Sequence, residues 1–192
     1  VADAGQRMQG IVGGVQSVDG NATSSVVRNG GTQLVNRGGL AAGTTVHSGG
    51  LQHINVGGAA SDGTVFGGGK QVVAGTASGT SLSDGGQQIV QTSGKTTDTH
   101  INNGGVQSVD GTAISSVVND GGQQIVNNGG LAAGSIVKNG GVQHVSAGGA
   151  ASDGTVFGGG TQLVQGTASG TSISDGGVQL VTKGGQARGT LV

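Results

Sequence analysis

Short runs in which valine, isoleucine or leucine alternates with polar residues recur along the whole chain, and ten of them open with Gly-Gly-x-Gln. The glutamines are Gln16, Gln33, Gln52, Gln71, Gln88, Gln107, Gln124, Gln143, Gln162 and Gln179, always 17 or 19 residues apart. A β-branched residue follows each by two positions, as Val18, Val35 and Ile54 do, and a second apolar residue comes three before the next glycine pair, as Val27, Val46 and Leu82 do. Midway stands a small residue such as Ala22, Ala41 or Ala60, replaced once by Thr96. Each unit reads roughly GGxQxVxxGGxAxxTxVxx, the shorter form lacking two residues at the middle turn. Alternation with period two inside each run predicts short strands. Glycine with Asn or Asp predicts the corners, where a positive φ costs little.

A unit of 17–19 residues holding two or three such strands has an apolar face that it cannot bury alone, whereas copies stacked on one another bury it continuously. The pattern therefore predicts an all-β chain, a right-handed parallel β-helix (β-solenoid) of about ten 17–19-residue coils, about 4.8 Å apart, with the hand expected of parallel crossovers. Five units sum to 91 residues, and 57 of the 80 positions in Gly13–Thr92 are identical to their partners in Gly104–Lys183. The expected organisation is thus a single solenoid over 1–192 with an internal duplication, the first copy 13–103 and the second, incomplete, 104–192. The tract GGAASDGTVFGGG shows the copying most plainly, occurring at Gly57–Gly69 and unchanged at Gly148–Gly160. Ten glutamines on the inward parity predict a ladder of stacked amides, placed at a corner, with a carbohydrate-binding strip as the functional alternative.

Composition narrows the interior. With 46 glycines, no proline, cysteine or tryptophan and two phenylalanines, an aromatic-rich core is excluded. Few ten-residue stretches lack a glycine, which disfavours long helices. Collagen is excluded because glycine is not at every third place, and a flexible linker because the apolar positions keep register. A net charge of −1 with eight scattered basic residues gives no footprint for nucleic acid or an anionic membrane. Neither an apolar run of about 18 residues nor a basic-then-apolar start is present, so no membrane span or signal peptide is read within the sequence.

Candidate chemistry is sparse. Ser61–Asp62 and Ser152–Asp153 place a hydroxyl beside a carboxylate, but no histidine accompanies both copies and no GxSxG elbow exists, so turn residues are expected. His53 and His144 stand five coils apart, roughly 24 Å, too far to share an ion. Gly67-Gly68-Gly69-Lys70 departs from the phosphate-loop spacing, and its counterpart replaces Lys70 by Thr161. Nine aspartates bring calcium-binding nonapeptide repeats to mind, yet glutamine holds the repeated polar position that those repeats give to aspartate. No catalytic, cofactor-binding or metal-ligating residue is singled out.

The imperfect 19-residue repeats, such as GGTQLVNRGGLAAGTTVHS (Gly30–Ser48), and the shortened form GGKQVVAGTASGTSLSD (Gly68–Asp84) resemble the passenger domains of self-associating bacterial autotransporters of the AIDA-I, TibA and antigen 43 group. The resemblance covers Gly13–Val192. It implies a cell-surface β-helix active in autoaggregation, biofilm formation and adhesion to host cells, with O-heptosylation of serines by a protein heptosyltransferase. It also implies a signal peptide upstream and an outer-membrane β-barrel downstream, so a passenger fragment is expected. The acceptor candidates this implies are Ser61, Ser78, Ser152 and Ser169, which follow the midway alanine, and Ser48, Ser83, Ser93 and Ser174, close to glycine corners. On composition alone these serines are polar turn formers.

Three function classes follow. A long repetitive rod suits a self-associating adhesin, whose many weak contacts combine. A polysaccharide-acting β-helix enzyme needs a local cluster of carboxylates, against which the near-identity of the two halves argues. A glycan- or ice-binding solenoid needs a Thr-x-Thr ladder on a flat face, and Thr97-Asp98-Thr99 alone has that spacing.

Overall fold

A computed structural model describes residues 10–192 together with the backbone of Gln6–Arg7; residues 1–5 and 8–9, which the expected 1–192 unit includes, lie outside the described residues. Every described element is a strand or turn, and all strand pairs are parallel. Three sheets run side by side. The glutamine sheet holds ten four-residue strands, from Val15–Val18 to Val178–Val181. The alanine sheet holds eleven strands, from Gln6–Arg7 to Gln186–Arg188, and a third sheet holds ten short strands, from Ile11–Val12 to Ser172–Ile173. Each strand pairs with its equivalent one coil away, as Gln16 does with Gln33, Ala60 with Ala77 and Val65 with Leu82. The chain is a parallel β-solenoid with the expected 17–19-residue coil.

Period two explains the core. In Thr32–Val35 the second and fourth residues point inward and are buried, while Thr32 and Leu34 are half-exposed. The third sheet sends in Ile11, Val27, Val46, Val65, Leu82, Ile101, Val118, Val137 and Val156 as one continuous apolar column. The alanine column faces the valines of the glutamine sheet. Burying each Val or Ile side chain is worth roughly 1.5–3 kcal/mol, and stacking supplies one such residue per sheet per coil for two of the three sheets.

The 17-residue coils differ from the 19-residue ones between the glutamine and alanine strands. Asn36 to Gly39 make a four-residue connection there, whereas Asp19–Gly20 make two. The glycine pairs divide their duties. Gly30 and Gly49 adopt φ of 79° and 68°, and the glycine after each is backed against the coil before it. A Cβ on Gly31 would fall on the carbonyl oxygen of Ile11, and one on Gly86 on that of Val65. The tight turn between alanine and third-sheet strands uses αL residues instead, including Ser24 at φ 53°, Asp62 at 53° and Asp153 at 53°. Asn and Asp tolerate that region because the short polar side chain bonds locally.

Candidate functional site

The glutamine column lies in the interior. Gln33, Gln71, Gln88, Gln107, Gln124 and Gln162 have no exposed surface. From Gln33 onward each side-chain amide donates to the Oε1 of the preceding glutamine, Gln33 to Gln16 at 2.7 Å, Gln71 to Gln52 at 2.6 Å, and without a break to Gln179 and Gln162 at 2.7 Å. The ladder foreseen in the sequence is present, but it runs through the middle of a strand rather than along a corner, since glutamine occupies the second place of each four-residue strand. Burial also removes the alternative of a carbohydrate-binding strip, because no glycan reaches those amides.

A second inward column went unnoticed in the sequence. Ser25, Thr44, Thr80, Thr99, Ser116, Ser135 and Thr171 are buried, and each hydroxyl donates to the Oε1 of the glutamine in its own coil, as Thr44 does to Gln33 at 3.1 Å and Ser135 to Gln124 at 3.0 Å. Most Oε1 atoms therefore accept two hydrogen bonds and fill both lone pairs. The duplicated tract is the exception, with Gly63 and Gly154 at the hydroxyl position. The signal was a Ser or Thr nine or eleven residues after eight of the ten glutamines, at the place that Gly63 and Gly154 take in the other two. Thr96, which stands in the alanine column between Ala77 and Ala113, accepts from the Gln107 amide at 3.2 Å.

All eight candidate serines retain solvent access: Ser48, Ser78, Ser93 and Ser174 are exposed, and Ser61, Ser83, Ser152 and Ser169 are half-buried. Strand register brings four together in pairs on the outer face of the alanine sheet, Ser61 against Ser78 and Ser152 against Ser169. The other four sit at corners and are not brought together. Ser93 donates its hydroxyl to the carbonyl of Ala74 at 3.0 Å. Ser61 and Ser78 line a shallow groove of about 310 Å³ with Leu40, Ala59, Thr76 and Lys95.

Asp62 and Asp153 form exposed αL turns, as expected, whereas Ser61 and Ser152, expected in the same turns, are the last residues of the strands Ala59–Ser61 and Ala150–Ser152. His53 and His144 occupy equivalent outward places on the glutamine sheet. His47 packs its ring edge against Phe66 with centroids 4.2 Å apart, an outer contact between successive coils that no sequence signal announced. At the corner, Asn36 donates to Ser17 Oγ and Asp19 Oδ1 at 2.8 and 2.9 Å, and Asn127 repeats this with Ser108 and Asp110 at 2.9 Å each. Among the described residues no three His, Cys, Asp or Glu side chains gather to hold a metal ion. Among them, too, no helix is long and apolar enough to cross a membrane.

Residues 128–177 match the family model described as adhesin of bacterial autotransporter system, probable stalk. Comparison with curated protein sequences gives no match. Among solved structures, the chain is similar to a TibC-catalysed hyper-glycosylated fragment of TibA, with 33% identity, a TM-score of 0.59, and coverage of 94% of this chain and 86% of that one. A parallel solenoid with this coil length, a stalk-model match within it and that degree of identity over nearly all of both chains lead to one conclusion: the chain belongs to the AIDA-I/TibA type of autotransporter adhesin passengers.

Proposed function

We propose that this passenger holds cells together by self-association, giving autoaggregation and biofilm, and that it also adheres to host cells. The observation that carries this reading is the rod itself, whose outward positions repeat coil after coil along three continuous sheets. Such a surface offers many weak, equivalent contacts, and linked weak contacts multiply in affinity. In this reading the passenger is displayed on the bacterial surface through an outer-membrane barrel belonging to a longer protein, and 1–192 is one solenoid unit built by duplication of a 91-residue block.

The reading includes a modifying partner. The similar TibA fragment is described as hyper-glycosylated by TibC, which supports a protein heptosyltransferase acting here on Ser48, Ser61, Ser78, Ser83, Ser93, Ser152, Ser169 and Ser174. These serines all have solvent access, as acceptors must.

Display of the chain on cells that otherwise stay in suspension tests the first part. Clumping and settling are expected, and cells that remain dispersed would overturn self-association. Intact mass after co-expression with the transferase tests the second. Additions in steps of about 192 Da, the residue mass of a heptose, are expected; an unshifted 18.1 kDa chain would refute the modification.

A further inference from the structure

The outer face of the glutamine sheet is unlike the rest of the rod. Its ten strands present two outward positions each, and of these twenty residues eleven are Val, Leu or Ile and one, Lys70, carries a formal charge. The corresponding twenty positions of the alanine-sheet strands from Asn21–Thr23 onward include three such aliphatics and two formal charges. Val72, Ile89, Ile125 and Leu163 share one column of the glutamine sheet, and Val106 and Val142 belong to the column beside it. His144 stands in register between Ile125 and Leu163, and its Nε2 is buried with no hydrogen-bond partner. Strands that are apolar on both faces are the mark of parallel sheets covered on both sides. Here the inner face is covered by the core and the outer face by none of the described residues.

We infer that this face is the self-association surface and that its occupant is the same face of a second copy; the inference rests on the self-association proposed above. Three properties select that occupant. A surface whose features repeat at the coil spacing of about 4.8 Å is matched along its whole length by a partner with the same repeat, and a second copy has it. The face measures roughly 45 by 13 Å, so two copies bury about 1,200 Å² in all, the lower limit for a specific interface and the range of weak ones. With one lysine per face, two copies meet without a field of like charges, and an isologous twofold pairing sets the two lysines apart unless they lie on the axis. The eight candidate acceptor serines all lie off this face, on the alanine sheet or at the corners beside it.

The test compares three proteins by sedimentation velocity across a concentration series, with circular dichroism confirming the fold: wild type, the triple variant Ile89→Lys, Ile125→Lys, Leu163→Lys, and a control altered on the alanine sheet, Leu40→Lys with Leu131→Lys. Wild type and control are expected to dimerise alike, and the triple variant to bind itself at least tenfold more weakly. A triple variant that dimerises like wild type overturns the face while leaving self-association standing; a wild type that stays monomeric overturns both. Loss of host-cell adhesion by the triple variant with dimerisation intact also overturns the inference, since the occupant would then be a host surface. Should the lysines impair folding, Val106→Cys near the middle of the sheet answers the same question in a chain with no native cysteine. A short bis-maleimide linker is expected to join two copies through Cys at 106 and to leave Thr112→Cys, on the alanine sheet, monomeric; the reverse pattern overturns the inference.

Discussion

Gln124 donates its side-chain amide to Gln107 Oε1 at 2.7 Å, although 17 residues separate the two in sequence. Its own Oε1 accepts from Gln143 at 2.6 Å and from Ser135 at 3.0 Å. The side chain is thus held by three bonds with no exposed surface of its own, and adjacent amides polarise one another along the ladder. Replacing Gln124 by Leu leaves the Gln143 amide and the Ser135 hydroxyl as buried donors without acceptors. At about 1–3 kcal/mol for each orphaned group, the loss is expected to be roughly 2–4 kcal/mol after partial relaxation. Gln123, the residue before it, is exposed. Gln123→Leu is expected to change stability by less than about 0.5 kcal/mol. Urea unfolding of the two variants checks the contrast, and equal losses would contradict the inward assignment.

The duplicated tract carries an opportunity for stabilisation. Gly63 and Gly154 stand where other coils place the Ser or Thr that bonds to glutamine. Gly63 is not in the left-handed region, and a Cβ there would meet only ordinary contacts at 3.5 Å, from the Gln71 amide nitrogen and the Thr44 carbonyl oxygen. Gly63→Ser is expected to supply the missing hydroxyl to Gln52 Oε1 and to reduce unfolded-state freedom. Together these should stabilise by about 0.5–1.5 kcal/mol. Gly86→Ala is expected to do the opposite, because its Cβ falls on the Val65 carbonyl. Midpoints of thermal unfolding that move in opposite directions would bear this out.

Val126 has no exposed surface, and Asp120 lies exposed at the turn before Gly121. Val126→Asp places an unpaired carboxylate between stacked strands and is expected to cost at least about 3 kcal/mol, as uncompensated buried charges do. Asp120→Asn retains a side chain suited to the turn and is expected to fall within about 0.5 kcal/mol of wild type. Denaturant midpoints measure both.

Much of this architecture is legible in the sequence because a solenoid makes local pattern and global fold coincide: the two-residue alternation around Val18, Val35 and Ile54 is repeated at the very interval that stacks them. The glutamine ladder was legible for the same reason, though not its place. Neighbouring glycines drew it toward a corner, whereas the backbone keeps Gln33 two residues from the turn glycine, inside Thr32–Val35. The hydroxyl column escaped notice because Ser25, Thr44 and Thr80 look like ordinary turn residues until coil closure brings them against the amides. His47 against Phe66 was illegible because a single contact between successive coils leaves no periodic trace. The serines were legible as surface residues, but their pairing depends on register, which carries Ser61 and Ser78, 17 residues apart, to adjacent strands.

That pairing yields an order of modification. A transferase must reach the hydroxyl and seat a sugar over it, so acceptors are ranked by exposure and by whether the hydroxyl is already engaged. Ser48 and Ser78 are exposed and are expected to be modified first. Ser93 is equally exposed, but its hydroxyl is held by the Ala74 carbonyl at 3.0 Å, so it should follow them. Ser61, Ser83, Ser152 and Ser169 are half-buried and should come last. Ser61 has a further handicap: Ser78 stands one strand away, about 4.8 Å, which is less than the width of a sugar ring plus its hydration, so a sugar on Ser78 crowds its neighbour. Ser78→Ala should therefore raise occupancy at Ser61, and the change at Ser152, in the other copy, should be nil. Glycopeptide mass spectrometry over a time course of co-expression with a heptosyltransferase reads all of these sites together. Early modification of Ser61 with Ser78 still bare would contradict the exposure ranking, and an unchanged Ser61 in the Ser78→Ala variant would contradict the crowding.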